Sequence, residues 1–288
     1  MQSNTIAMSV NDAVLLFLPK AEQKTVCIIA GAATAALVGI VILGGIQRIG
    51  KASEIIVPFM AIGYIAICII VLSRFGSRIL PAFRDIFSGA LGIKQAVGGA
   101  AGFGAARALR IGMARGVYSN EAGVGSAPMA HACANTNDPV KQGMYGIFEV
   151  FADTIVMCTM TALVVLASGI PLQAGGEISG TSIALRAFST VLPERTTGIF
   201  LAVSMLLFAY TSLLGWAVYG MQCAKYLFGK RAQVPFCILY TVLTFAGALM
   251  KVDFVWTAGE TLNYLMAAPN MLALLVLNRE VRRETAFA

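Results

Sequence analysis

The sequence predicts an all-α protein, a polytopic membrane helix bundle, and three observations predict it. Of its 288 residues 58% are hydrophobic and only 12% charged, where a soluble domain carries about 25% charged residues. The mean hydropathy is +0.79. Several apolar stretches approach the roughly 20 residues needed to cross a hydrocarbon core of about 30 Å. A water-soluble fold would need a core far larger than this length allows.

The elements follow in order. The chain opens on polar, uncharged residues, Met1 to Thr5, then Asp12 in a moderately apolar stretch. A secretory signal has a basic start and an apolar block, so this opening reads as the interior of something longer. Thr25 to Ile46 is the first clear span, set between Lys20 and Lys24 on one side and Arg48 and Lys51 on the other. Ile55 to Leu72 is the second, with Pro58 near its start. A basic segment, Arg74 to Arg84, leads into Gly92 to Arg110, which is apolar but broken by glycines. Arg115 to Asp138 is small and polar, Gly143 to Gly169 is a strong span holding Asp153, and Pro171 to Pro193 reads as a loop. Gly198 to Gln222, Val234 to Met250 and Phe254 to Leu277 complete the set, the last with Pro269 inside it. Short connections place all of these in a single transmembrane domain over residues 1–288.

The net charge of +7 sits in the short gaps between apolar runs, as the positive-inside rule produces, and excludes nucleic acid as a partner. With Arg279, Arg282 and Arg283 in the cytoplasm, just over half of the 21 Lys and Arg fall on that side, so the C-terminus is predicted cytoplasmic. The six cysteines form no CxxC pair and read as small apolar fillers. His131, the one histidine, makes neither a metal centre nor a proton relay and reads as structural. No nucleotide-binding, hydrolase or redox signature is present, so no enzyme and no cofactor are expected.

Four constellations carry candidate chemistry. Gly98, Gly99, Gly102 and Gly104 fall within seven residues around Phe103. Glycine in a helix interior costs about 1 kcal/mol against alanine, so the run either unwinds, exposing backbone to a ligand in a wet cavity, or packs helices closely through small residues. Arg115 to Pro128 is small and glycine-punctuated; Ser119 or Asn120 there could cap a helix starting at Glu121, whose carboxylate would favour the positive dipole end. The alternative is an ordered loop. Asp153 lies inside a span, four residues from Glu149 and beside Thr154; a carboxylate at membrane depth is functional by default or else structurally paired. Thr211 and Ser212 offer adjacent hydroxyls, as ligands for a hard cation or as back-bonds to the preceding helical turn. Trp216 follows one turn later, as a wall for a small substrate or an interfacial anchor.

From Ala114-Arg115-Gly116 to Pro128, with Ala130-His131-Ala132 and Asp138-Pro139-Val140-Lys141-Gln142-Gly143, the chain resembles the alanine or glycine:cation (sodium) symporter family. Asp153-Thr154, Ile42-Leu43-Gly44-Gly45-Ile46, Val57-Pro58-Phe59-Met60, Thr211-Ser212 and Gly215-Trp216 extend the resemblance along the whole chain. It implies a partial leucine-transporter-like fold of inverted repeats with discontinuous first and sixth helices, the glycine-broken segment being the sixth. It implies sodium ligands at Thr211 and Ser212. It implies substrate contacts at Gln2, Ile6, Gly98, Gly99, Gly102, Phe103, Gly104, Asn120 and Trp216, with Glu121 and Asp153 in structural or coupling roles. The implied activity is symport of alanine or glycine with sodium, sodium being the coupling ion, by alternating access in a bacterial inner membrane. A proton-coupled or facilitative permease of the same fold, or a non-transporting membrane subunit, are the rival readings. The resemblance also implies that three helices of the family precede this chain, and that the chain alone does not transport.

Overall fold

The computed structural model describes residues 1–90, 101–121, 123–171 and 180–286. Among these the chain is helical throughout, with no strand. The helices are α1 (Gln2–Leu15), α2 (Gln23–Ile42), α3 (Ile46–Ser73), α4 (Gly76–Ala90), α5 (Ala101–Ser119), the short α6 (Ala127–His131), α7 (Pro139–Val150), α8 (Thr159–Ser168), α9 (Gly180–Ser189), α10 (Glu194–Phe228), α11 (Gln233–Leu249) and α12 (Val252–Ala286). A π-helical segment, Phe151–Cys158, joins α7 to α8. Among the described residues, six helices are long and apolar enough to cross a membrane: Gln23–Ile42, Ile46–Ser73, Pro139–Ser168, Glu194–Phe228, Lys230–Leu249 and Phe254–Thr285. They correspond to the six unbroken spans of the sequence, so the protein is a multi-pass membrane protein.

The boundaries differ where glycine decides them. The first span ends at Ile42 rather than Ile46, because the chain turns at Gly44 and Gly45, the latter at φ +77°, the left-handed geometry that glycine adopts freely at a helix end. Of the predicted broken span, Gly98 and Gly99 lie outside the described residues. From Ala101 the backbone is α-helical, so Gly102, Phe103 and Gly104 are in helix and not in unwound chain. The physical reason is the small size of the cost. A helical glycine gives up only about 1 kcal/mol against alanine, and good helix formers, Ala101, Ala105, Ala106 and Arg107, surround Gly102 and Gly104. Two predicted connections are also helical in part. Gly76–Ala90 follows Arg74, and Gly180–Ser189 lies within Pro171–Pro193.

By contact the chain divides into two compact units, Met1–Tyr64 with Pro128–Ala134 and Leu192–Leu262, and Ile65–Ala127 with Asn135–Val191 and Asn263–Ala288. Each draws on three separate stretches, which is why no boundary is visible in the sequence.

The first unit is built on α1, α2, α10 and α11. Ile6, Val38, Ile42, Leu213, Leu214 and Met221 meet in its apolar core. Polar groups within it are matched to backbone. The Asn4 amide donates to the carbonyls of Gly247 (3.3 Å) and Met250 (2.9 Å) at the end of α11, where a helix leaves carbonyls without intrahelical donors. Tyr240 donates to the Leu213 carbonyl (2.8 Å) and Tyr210 to the Leu37 carbonyl (3.2 Å). Close approach of α2 and α11 needs small residues. A Cβ on Gly31 would stand 2.7 Å from the Ala248 Cβ, and one on Gly39 would stand 3.1 Å from the Thr241 side chain. The two glycines are eight residues apart and share a helix face, with Ala35 buried between them.

In the second unit α8 packs on α4 and α9, with Val164, Ala187 and Phe188 fully buried. Arg78 of α4 donates to the carbonyls of Ala167 (3.3 Å) and Ser168 (3.5 Å) at the end of α8. A cation there satisfies both the orphan carbonyls and the negative end of the helix dipole.

The Ala248 Cβ sits directly on the α11 backbone and cannot swing away from a branched side chain at position 31. Gly31→Val is therefore expected to destabilise the detergent-extracted protein by about 1–3 kcal/mol through overpacking, read as a lower thermal midpoint. Gly63→Val, at a glycine with nothing within 4 Å of an added Cβ, is the control and should leave the midpoint nearly unchanged.

Candidate functional site

The candidate residues fall into two groups, one in each unit. In the second unit, α5 ends at Ser119 and the chain turns through Asn120 and Glu121. No helix starts at Glu121, and the capping arrangement expected there is replaced by a different one. The Asn120 amide Nδ2 donates back to the Gly116 carbonyl at 3.1 Å, closing the C-terminal end of α5. Its Oδ1 accepts a hydrogen bond from the Thr154 hydroxyl. One amide thus uses a donor on its own helix and an acceptor on another.

Glu121 has φ +49°, the one described non-glycine residue with a positive φ. Such a backbone costs an L-residue about 1–2 kcal/mol and persists where surrounding contacts hold it. The contacts here are specific. The fully buried Ser126 donates to the Glu121 carboxylate. Between them Gly123 and Gly125 adopt φ +73° and +89°. Asn270 of α12 fits against both: its Nδ2 donates to the Gly123 carbonyl at 2.9 Å, and a Cβ on Gly125 would meet its Oδ1 at 2.8 Å. The described residues of this polar turn, Asn120, Glu121 and Gly123 to Ser126, are therefore held by two side chains from elsewhere, Thr154 at Asn120 and Asn270 at Gly123 and Gly125.

Thr154 and Asp153 lie in the π-helical stretch Phe151–Cys158 within the Pro139–Ser168 span. A π turn closes i to i+5 and is found mostly as short bulges at functional sites. The Thr159 side-chain hydroxyl, just past this stretch, donates to the Thr154 carbonyl at 3.4 Å. The Asp153 carboxylate is exposed and lies 3.5 Å from the Thr154 hydroxyl. The ordered turn and the bulge are linked by the Asn120–Thr154 bond, so Asn120, Asp153 and Thr154 bring an amide oxygen, a carboxylate and a hydroxyl together.

The first unit holds the other group. Thr211 Oγ1 donates within α10, to Leu207 and Phe208 carbonyls each at 3.0 Å, and Ser212 Oγ to the Phe208 carbonyl at 3.0 Å. Both hydroxyls are back-bonded, which leaves their oxygen lone pairs free to accept or to ligate. Trp216, one turn on, is partly buried and meets Tyr219 edge to face, ring centroids 5.6 Å apart. Gln2 is partly buried at the start of α1. Ile6 is 1% exposed and packs in the apolar core.

Sequence reasoning missed Asn270, Ser126 and the buried polar face of α1. Asn270 follows Pro269 in the last span, and an amide beside a proline in a membrane helix was the available signal. On α1 the Asn11 Oδ1 is buried without a hydrogen-bond donor.

A search for relatives decides the family. Residues 1–286 match the sodium:alanine symporter family. The chain belongs to that family. Among its relatives, a sodium/alanine symporter of Methanococcus maripaludis is 40% identical over 261 residues, covering 90% of this chain and 56% of that protein. A transporter of Haemophilus influenzae without an assigned substrate is 38% identical over 249 residues, 86% of this chain and 54% of that one. A probable sodium/glutamine symporter of Bacillus subtilis is 36% identical over 248 residues, 85% of this chain and 50% of that one. The chain spans about half the length of these relatives. Family membership covers both groups of candidate residues, since the match runs through α1, α5, the π-helical segment and α10.

Two substitutions at Glu121 separate backbone strain from the Ser126 contact, because Glu121→Gly and Glu121→Ala lose the carboxylate equally. Glu121→Gly is expected to be the more stable of the two by about 1 kcal/mol, measured by thermal or denaturant unfolding in detergent. Equal stabilities would mean that the turn relaxes and holds no strain.

Proposed function

We propose that this chain forms part of a sodium-coupled symporter of a small neutral amino acid, alanine or glycine, working by alternating access. The observation that carries the reading is the π-helical segment inside a membrane span, with Thr154 bonded to Asn120 in the ordered polar turn. Polar groups and irregular helix at membrane depth are costly unless they serve a ligand or a pathway. The names of two relatives, a sodium/alanine symporter and a sodium/proton-dependent alanine carrier of Bacillus sp. strain PS3 (30% identical over 292 residues), support alanine as a substrate and sodium as a coupling ion.

In this reading sodium is a coupling ion held by oxygen ligands, with Thr211 and Ser212 contributing their free lone pairs. Gln2 and Trp216, within the first unit, and Asn120, within the second, are the candidate substrate contacts. Glu121 keeps the polar turn in shape and Asp153 links ion occupancy to it. Sodium and substrate each favour the same state, so each raises the other's affinity and the ion gradient drives uphill entry.

The test is uptake of labelled alanine and glycine into membrane vesicles from cells expressing this chain joined to the preceding helices of a full-length family member. An inward sodium gradient should drive accumulation, and replacing sodium by potassium should abolish it. Accumulation that survives sodium removal but collapses with a proton ionophore would make the protein a proton-coupled permease. Glutamine displacing alanine at lower concentration would move the substrate to a larger amide, as one relative's name suggests. Within the sodium-dependent case, Thr211→Val should raise the half-saturating sodium concentration about tenfold, a coupling loss of ordinary size, while Thr211→Ser stays near the parent. Equal sodium dependence in all three would remove Thr211 from the ion site.

A further inference from the structure

Two cysteines and a methionine meet within the first unit, outside both groups of candidate residues. Cys27, Cys68 and Cys237 are buried, as apolar fillers would be, but Cys133 and Cys223 are exposed. Met129 and Cys133 lie on α6 and the turn that continues it, where the Ala132 and Cys133 N–H groups donate to the carbonyls of Pro128 and Ala130, each at 2.9 Å. One helical turn apart, the two side chains share a face. That face meets Gln222 and Cys223 of α10. The Cys223 thiol donates to the Met129 sulfur at 3.6 Å. The Cys133 thiol donates to the Met129 carbonyl at 3.3 Å, and the Gln222 amide donates to the Cys133 sulfur at 2.9 Å.

The donor atoms decide what this cluster can hold. Hard cations take oxygen, whereas thiolate and thioether sulfur select copper(I). Zinc takes thiolate, imidazole or carboxylate rather than thioether. Among the described residues no three His, Cys, Asp or Glu side chains gather to hold a metal; here the third donor is Met129, which suits only a soft ion. A three-coordinate metal with bonds of about 2.3 Å keeps its sulfurs about 4 Å apart, so the Met129–Cys223 pair has to open only slightly. The Gln222 amide on the Cys133 sulfur is the kind of outer contact that orients a metal-bound ligand. Cys223 and the following Lys225 lie toward the end of α10, so the sulfurs stand near one end of that span and not at its middle.

We propose that Met129, Cys133 and Cys223 form a three-coordinate site for a soft monovalent cation, copper(I). As the metal binds, each thiol gives its proton to water and ligates as thiolate. One copper(I) ion enters and two protons leave, with no change of oxidation state. The bound metal ties the segment Pro128–Ala134 to α10 in place of the thiol–thioether hydrogen bond. The inference goes beyond symport and stands whichever amino acid and coupling ion the protein carries. It rests on atoms gathered inside one unit and not on a face left open.

Competition for copper(I) tests it. The detergent-extracted chain, reduced and kept under argon, is titrated against the coloured copper(I)–bicinchoninate complex, whose absorbance reports the metal left behind. The parent is expected to withdraw one copper(I) per chain. Cys133→Ser and Cys223→Ser should each weaken that binding about a hundredfold, and Met129→Leu, which keeps the side-chain volume, about tenfold. Cys158→Ser, at an exposed cysteine of the second unit, should match the parent, and excess zinc(II) should not displace the metal. X-ray absorption at the copper edge of the parent should show three sulfur neighbours and no nitrogen or oxygen, a reading that depends on no variant folding. A parent that leaves all copper on bicinchoninate overturns the proposal. So does copper held as tightly by Cys223→Ser or Met129→Leu as by the parent, displacement by zinc(II), or a copper ion with only two sulfur neighbours.

Discussion

Everything in this structure answers to one constraint: inside a hydrocarbon layer each peptide N–H and C=O must find its partner within the protein. Regular helix meets that demand alone, and the long helices α2, α3, α10 and α11 do so. Where a helix ends or widens, a side chain from elsewhere completes the bonding. Asn4 does this for the end of α11, Arg78 for the end of α8, and Asn270 for the turn at Gly123. Each of these polar side chains sits where a backbone group would otherwise be stranded. Each therefore fixes the position of one helix against another far more narrowly than apolar contact could.

The same constraint explains what could be read from the amino-acid sequence. The six spans are visible because lipid-facing helix must be apolar and nearly free of charge. Helix α1 is not visible in that way, because Ser3, Asn4, Ser9 and Asn11 are buried against protein rather than lipid, and protein can supply bonds that lipid cannot. The helix α4 was hidden by its basic residues, which read as a connection until Arg78 is seen reaching the end of α8. The glycine run misled in part: Gly102 and Gly104 look like breaks by propensity, yet the backbone is helical from Ala101, where helix-forming alanines flank them. The candidate ion ligands Thr211 and Ser212 were legible as hydroxyls on an apolar helix, and their back-bonds were one of the two arrangements the residue types allow.

The site's most specific link was not legible at all. Asn120 and Thr154 are 34 residues apart and Asn270 lies 147 residues beyond Gly123, distances over which no local pattern speaks. The left-handed turn at Glu121 is likewise invisible, since glutamate carries no preference for it. Such positions break local rules because contacts from distant segments outweigh them, and sites that bind or move ligands are where that balance is usually struck.

The widened stretch between α7 and α8 has a geometric consequence. One surplus residue in a helical ladder rotates all that follows by about 100° about the axis while changing the length by only about 1.5 Å. Phe151–Cys158 therefore acts as a phase shifter, letting two halves of a single span present faces that an uninterrupted screw would not align. Absorbing the surplus into ordinary α-helix would spin one half against the other almost in place, a rotation that needs no displacement through the bilayer.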